Sequence, residues 1–475
     1  MPEFPFRSLR DWIDFLKVKG QLVENNEEVD LQGEVAAISQ KIALTGGPAV
    51  LHNKIKGFPN WRIFADSLTT RERVGWAVGM PERDLITKMT DKLKEINTED
   101  LKPKVVKDGP CKELKYFHGK FDLTKLPVAF TGEYDRPPFI TGGISNIRDP
   151  ETGWQNTGIR RFQQKGKDYL NSLVLPFQHE GVIFSKYIKK GQAAPVAIVI
   201  GADPLYYLIS QMPAAVQVDE MDAWGAFAGK PLEVVKCETS DIVVPASAEI
   251  VIEGEMDPDE RMLEGPFSEF TGFYSGLRKL PVIRVKCVTM RKGCIYQNMY
   301  VSIPTSEAHT VGQLMTETTL LRQLKELVPA ITDVAILSSW GMVAAVSINK
   351  RARASNPGLV KKAAVAIKAV QASAFVKNVF IVDDDTDPHN IHEVLWCMSV
   401  KFQGAKDILV IPEFTGCFLD PSEPYLGKGP GVTSYAVFDC TEKPPPYDEA
   451  YKRGVAQPNE TFRKIVAEKW TKYGF

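Results

Sequence analysis

The sequence predicts a mixed α+β and α/β protein of several domains, on three observations. Both ends alternate the 3.6-residue helical period with short apolar strands. The middle, from about Cys111 to Tyr300, is rich in Gly, Pro and β-branched runs, as antiparallel sheet or barrel is. The length of 475 residues at 44% hydrophobic content suits two to four domains with buried cores. The expected division is an N-terminal α/β unit over 1–108, a sheet or barrel unit over 109–305, and a C-terminal α/β unit with a terminal helix over 306–475.

In chain order, Ser8 is placed to cap a first helix, with Asp11 at the capping-box position, Leu9, Trp12, Ile13 and Leu16 on one face, and Gly20 to end it. A second helix follows Asp30. Strands at Ala49-Val-Leu51 and Trp61-Arg-Ile-Phe64 and a helix from Arg71 to Val78 complete the unit. The Lys- and Glu-rich piece from Lys88 to Lys107 reads as its outer surface or the link onward. In the middle, Pro195-Val-Ala-Ile-Val-Ile200, Glu249-Ile-Val-Ile-Glu253 and Val282-Ile-Arg-Val-Lys-Cys-Val288 read as strands. The last alternates Ile283, Val285 and Cys287 with Arg284 and Lys286, which predicts one wet face. After Pro304, Leu314, Leu321, Leu324 and Leu327 form a helical stripe. A strand from Val343 to Ile348, a helix opened by Pro357, a strand at Val379-Phe-Ile-Val382, a helix from Asn390 to Val400 and a strand at Ile408-Leu-Val-Ile411 then give βαβ alternation. The tail from Pro444 to Phe475 is Pro-rich and then helical, able to pack on a partner subunit or on its own core.

A formal net charge of -1 argues against a nucleic-acid binder. The seven cysteines show no CxxC spacing, so neither a disulfide framework nor a zinc cluster is expected, and a reducing cytoplasm fits. The N-terminus lacks a basic segment followed by an apolar run, and no stretch approaches roughly eighteen uninterrupted apolar residues, so neither export nor membrane spanning is expected.

No GxGxxG, Walker loop, HExxH or nucleophile elbow occurs, which counts against a Rossmann cofactor, a P-loop nucleotide and a serine hydrolase. The most distinctive stretch is Glu264-Gly-Pro-Phe-Ser-Glu269, where two carboxylates flank a Gly-Pro that continues neither a helix nor a ladder. By itself it fits a glycosidase pair, a metal clasp or an ion pair. Asn156-Thr-Gly-Ile-Arg-Arg161 and Leu175-Pro-Phe-Gln-His-Glu180 are each weak alone, since Asn-x-Gly marks turns and a lone His is commonly structural. Asp383 to Asp385 invite a metal reading but suit a solvated capping loop better.

Taken together and in order, these stretches resemble the UbiD-type decarboxylases, which use prenylated FMN. The resemblance also rests on Ser210-Gln-Met-Pro213, Glu233-Val-Val-Lys-Cys-Glu-Thr239, Val244-Pro-Ala-Ser-Ala-Glu-Ile250, Glu307-Ala-His-Thr310 and Val394-Leu-Trp396. The ending Lys469-Trp-Thr-Lys-Tyr-Gly-Phe475 is similar to that of ferulic acid decarboxylases within the family. The resemblance implies a split-barrel flavin domain in the middle and a C-terminal unit that closes over the substrate. It implies cofactor contacts from Asn156, Thr157, Gly158, Ile159, Arg160, Arg161, Gln178, His179, Ser210, Met212, Pro213 and Glu233. Asn156, His179 and Glu233 would share a divalent ion, Mn2+ or Mg2+, with the flavin phosphate, a mainly oxygen set that suits a hard cation. A K+ ion would touch Glu233 and the Ser210 to Met212 backbone.

The catalytic group implied by the resemblance is Arg161, Glu264 and Glu269. Arg161 would hold Glu264 as the anion. A second carboxylate beside an anion in a dry site favours its neutral form, which suits Glu269 to the role of general acid. The implied reaction is reversible, non-oxidative decarboxylation of an aromatic or α,β-unsaturated carboxylic acid, with a flavin prenyltransferase supplying the cofactor to a homodimer or homohexamer. Physiological carboxylation, an aromatic acyl-CoA substrate, and a flavin carrier or sensor without turnover are the competing readings. Pocket walls are expected from Tyr300 to Thr305 and Phe414 to Leu426. One departure concerns Leu426-Gly-Lys-Gly-Pro-Gly431, where Gly431 stands at the place of a Lys that approaches the flavin phosphate in the family; whether Lys428 replaces it is open.

Overall fold

The computed structural model describes residues 3–80, 85–96, 98–303, 305–338, 341–423 and 431–474. At its centre six antiparallel strands close into a barrel. Going round, Ile250–Glu264 pairs with Ala194–Ile200, followed by Phe139–Arg148, Gln155–Gln164, Tyr169–Ser172 and Arg278–Met290, which returns to Ile250–Glu264. The sequence suits both faces of these strands to burial. Val196, Ile198 and Ile200 enter one apolar cluster while Ala197 and Val199 enter another, the period of two that a strand imposes. Along Arg278–Met290, Ile283, Val285 and Cys287 are buried, Arg284 is exposed and Lys286 half-buried, so the expected wet face is present.

The first helix, Leu9–Val18, is capped by the Ser8 hydroxyl, which accepts from Asp11 N at 3.2 Å, and buries Leu9, Trp12, Ile13 and Leu16. Leu22–Val29, Ala49–Ile55 and Arg62–Ala65 form a sheet whose fourth strand, Ile295–Gln297, comes from far along the chain. Lys104–Val105 likewise joins Glu233–Lys236. The piece from Lys88 to Lys107, expected as outer surface or link, is partly core: Met89 and Leu93 are buried, and Thr90 Oγ1 donates to the Thr318 carbonyl at 3.3 Å. Its apolar residues recur at helical spacing beneath the charged ones, which composition alone hides.

Helix Glu307–Leu327 is buried almost all round, not on one stripe, and only its end emerges, at exposed Leu327. Beyond it lies a five-stranded sheet in the order Ile331–Ser338, Val343–Ile348, Asn378–Asp383, Val432–Asp439, Ile408–Thr415, with its three central strands parallel. Helices Leu359–Ala369 and Ile391–Lys401 make the crossovers. The tail helix Glu460–Glu468 buries no residue. All seven cysteines are free and buried, and no helix among the described residues is long and apolar enough to cross a membrane.

Candidate active site

Strand Gln155–Gln164 carries the centre of the site, because alternate residues of one strand serve two ends of a cleft. One cavity, of about 270 Å³, is lined by Asn156, Gly158, His179, Met212 and Glu220 among others. A second, of about 230 Å³, is lined by Ile159, Arg161, Phe267, Glu269 and a largely apolar remainder. Arg160, Gln178, Gln211 and Phe375 line both, so the two are contiguous.

At the apolar end, Arg161 donates from Nε and Nη2 to the two carboxylate oxygens of Glu264 at 2.7 and 2.9 Å, and from Nη1 to Glu269. All three are buried, with Glu264 fully enclosed, and the guanidinium stacks over Phe267 with its carbon 4.8 Å from the ring centre. Such a bidentate, desolvated pair fixes the fork of the Arg and hence the direction in which it offers its remaining nitrogen. Glu264 ends its strand opposite Arg278, whose pKa is lowered by burial and by the neighbouring Arg161.

The loop from Glu264 to Glu269 is held on every side. Gly265 adopts φ 98°, and a side chain there would lie 2.9 Å from the Gly276 carbonyl. Phe267 N donates to Ser275 Oγ at 3.1 Å, Ser268 N to Asp135 Oδ1 at 2.8 Å, and Ser268 Oγ to Ser302 Oγ at 3.0 Å. Burial lifts Asp135 to about 6. His309 Nε2 lies 2.7 Å from the Phe270 carbonyl, and burial lowers the ring to about 4, so at neutral pH it is a neutral prop for the residue next to Glu269.

The polar end corrects one expectation. Glu233 is exposed at the start of its strand and lines a separate cleft with Arg7, Lys230 and Arg291. The carboxylate that meets Asn156 and His179 is Glu220, in the first turn of helix Glu220–Ala228. Its oxygens accept from Asn156 Nδ2 and Thr157 N, both at 2.8 Å, and Oε1 stands 3.8 Å from His179 Nδ1. The local reason is the Asp219 N-cap, which turns the chain so that the following side chain enters the cleft while Glu233 lies on an outer strand. Burial and the Glu220 charge raise Asp219 to about 8.

These residues fit a cation. His179 Nε2 is buried without a protein partner, Asn156 can turn its amide oxygen inward by rotation, and Glu220 brings charge into an enclosed site. Among the described residues no group of three or more His, Cys, Asp or Glu is placed to hold a metal. The K+ expectation loses Glu233 in the same way. Ser210 and Met212 do line the cleft, and the Ser210 carbonyl accepts from Ile159 N at 3.3 Å.

The remaining predicted contacts Thr157, Gly158, Ile159, Arg160, Gln178 and Pro213 line one or both cavities. Sequence reading missed Glu180, which is buried, pairs with Arg160 Nε at 2.8 Å and accepts from Ser145 Oγ at 2.7 Å. It also missed Gln211 and Phe375. Of the expected walls, Val301, Phe418 and Leu419 line the acid cavity; Lys428 lies outside the described residues. Asp383 is tied to Arg353 at 2.7 Å and Asp385 to Lys350 at 2.9 Å, an ion-pair network away from the cleft.

A closed six-stranded barrel thus brings the buried Arg161, Glu264 and Glu269 to one end of a cleft and Asn156, His179 and Glu220 to the other. Profiles of 3-octaprenyl-4-hydroxybenzoate carboxy-lyase match the chain in three parts, the N-terminal domain at 13–93, the Rift-related domain at 104–304 and the C-terminal domain at 309–440. A phenolic acid decarboxylase of Bacillus subtilis (strain 168) is 31% identical over 449 residues, 92% of each chain. The UbiD-class enzyme HmfF from Pelotomaculum thermopropionicum, solved with FMN, superposes with a TM-score of 0.86 at 31% identity over 97% of this chain and 99% of its own. An evolved dimeric form of HmfF with prFMN gives 0.80 at 30% identity, over 92% and 95%. The chain belongs to the UbiD family of carboxy-lyases.

Proposed function

We propose that this protein decarboxylates an aromatic or α,β-unsaturated carboxylic acid with the help of a prenylated FMN, and that Glu269 supplies the proton that replaces the carboxyl group. The observation that carries the reading is the Arg161 grip on Glu264, with a further nitrogen turned to Glu269 at the wall of an apolar cavity. Relatives support the substrate class and the flavin, since the family includes phenolic acid decarboxylases and an enzyme solved with prFMN.

Loss of carbon dioxide from an sp² carbon needs an electron sink, which a bound prenylated flavin supplies. Asn156, His179 and Glu220 would hold a divalent ion, Mn2+ or Mg2+, against its phosphate, and the Ser210 to Met212 backbone a K+ beside Glu220. The chain's own residues do the rest. One guanidinium balances one carboxylate, so Arg161 with ionised Glu264 is neutral and Glu269 carries its proton at the cost of no further buried charge. The apolar walls exclude water, so the proton on the product carbon comes from Glu269. A C-terminal unit spanning 306–475 would close over the acid, and the cofactor would come from a flavin prenyltransferase.

The test is a panel of aromatic, acrylic and CoA-thioester acids offered to protein co-expressed with such a prenyltransferase. Carbon dioxide release and deuterium uptake from heavy water are the readouts. Turnover of free acids is expected; no release from any of them, with flavin bound, would overturn the reading.

A further inference from the structure

Two segments of the C-terminal sheet region that send residues to the acid cavity share contacts with one lysine, and Lys377 bonds Asp420 at 2.6 Å just beyond them. Lys368 lies in the last turn of helix Leu359–Ala369, and its ammonium donates to the carbonyl oxygens of Val376 at 2.9 Å, Thr415 at 3.1 Å and Ala374 at 3.4 Å. The charge also stands 5.2 Å from the centre of the Phe414 ring and 5.6 Å from that of Tyr435. Three donors on an ammonium meet three carbonyls, and the two rings favour the cation.

What those carbonyls belong to gives the contact its meaning. Ala374 and Val376 bracket Phe375, which lines both cavities and stacks on Phe270, next to Glu269, with centroids 6.2 Å apart and planes at 15°. Thr415 ends strand Ile408–Thr415, just before Phe418 and Leu419, which wall the acid cavity. Without the lysine, three carbonyls on two segments would lose one shared donor, with the Val376 contact half-buried and the Ala374 and Thr415 contacts exposed.

We propose that Lys368 is a positioning residue whose ammonium ties the 371–376 segment to the 415–419 segment and so sets Phe375, Phe418 and Leu419 as the substrate-side wall. The inference rests on the reading of that cavity as the acid site; Lys368 itself touches neither Arg161 nor the two glutamates and acts through main chain. The groups facing it are carbonyls and two rings, with the Tyr435 hydroxyl occupied in donating to Ala364 O at 2.8 Å. Its titration is set by burial alone, which lowers it to about 8. A neutral amine offers two donors and no ion–dipole attraction, so the tie slackens as pH rises through that value.

The experiment compares Lys368→Met and Lys368→Arg with the unaltered holoenzyme by two readouts. Hydrogen exchange, which needs no turnover, is expected to quicken in Lys368→Met at 371–376 and 414–419 and to stay unchanged in the barrel strands. In turnover assays, Lys368→Met is expected to raise KM and lower kcat/KM by at least about tenfold with flavin content unchanged. The alkaline fall of kcat/KM above pH 8 should be present in the unaltered enzyme and displaced upward in Lys368→Arg, whose charge persists. Unchanged exchange in both segments, or the same alkaline limb in Lys368→Arg, would overturn the proposal. Should Lys368→Met not fold, the Arg variant decides it. Absence of turnover in the unaltered enzyme would strike the function reading and leave the exchange comparison to judge Lys368.

Discussion

Exchanging Glu220 and Glu233 in turn separates the two carboxylates that sequence and structure offer to a cation. Glu220 is buried and accepts two bonds of 2.8 Å, from Asn156 Nδ2 and Thr157 N. Glu220→Ala strands both buried donors at about 1–3 kcal/mol each, so the metal-free protein should lose about 2–6 kcal/mol. Glu220→Gln keeps the volume and one carbonyl acceptor but not the charge, so its cost to the fold should be about half as large, while metal affinity falls at least about tenfold. Glu233 is exposed and outside the cleft, so Glu233→Ala should stay within about 0.5 kcal/mol and bind metal as before. The assay strips the protein with chelator, titrates Mn2+, measures retained metal and flavin after gel filtration, and follows unfolding in urea. Loss of metal in Glu233→Ala together with full retention in Glu220→Gln would refute the argument.

Two further outcomes follow from the loop that carries the acids and the histidine that props it. Gly265→Ala places a Cβ 2.9 Å from the Gly276 carbonyl at φ 98°, which should cost about 1–3 kcal/mol and depress turnover by shifting Glu264 and Glu269; an unchanged melting temperature and rate would contradict this. His309 is held at about 4 against an ordinary 6.5. As pH falls below 6.5 the unfolded chain takes a proton that the folded ring refuses, so stability that is complete above 6.5 declines by about 3 kcal/mol toward pH 4. Melting curves across that range should show a shallower acid slope in His309→Gln, and an identical slope would count against a buried neutral ring.

The sequence carried the barrel because alternation is written locally. Pro195 to Ile200 and Val282 to Val288 needed only their own order to be read as strands. The interleaving of sheets was hidden, since Ile295–Gln297 completes a sheet with Arg62–Ala65 by contact between distant segments, which no local period encodes. Within the site, Arg161, Glu264 and Glu269 were legible from motif order, and the structure brings them together through 103 and 108 positions of separation. Glu220 was not. The signal available was Asp219-Glu-Met-Asp222, an N-cap followed by a first-turn acid, whereas the resemblance points to Glu233 through the stretch Glu233-Val-Val-Lys-Cys-Glu-Thr239. Only the helix direction, set by packing, tells which acid enters the cleft. Nothing in the local sequence singles out Lys368, because its three carbonyl partners arise from tertiary contact.

The most direct test of the central claim is single-turnover product formation in heavy water by flavin-loaded Glu269→Gln. Glu269 lines the acid cavity beside the Arg161–Glu264 pair, and Gln keeps its shape without an acidic proton. The expected result is loss of deuterated product with flavin and metal contents unchanged. Formation of the deuterated product at the unaltered rate would contradict the assignment of Glu269 as the proton donor.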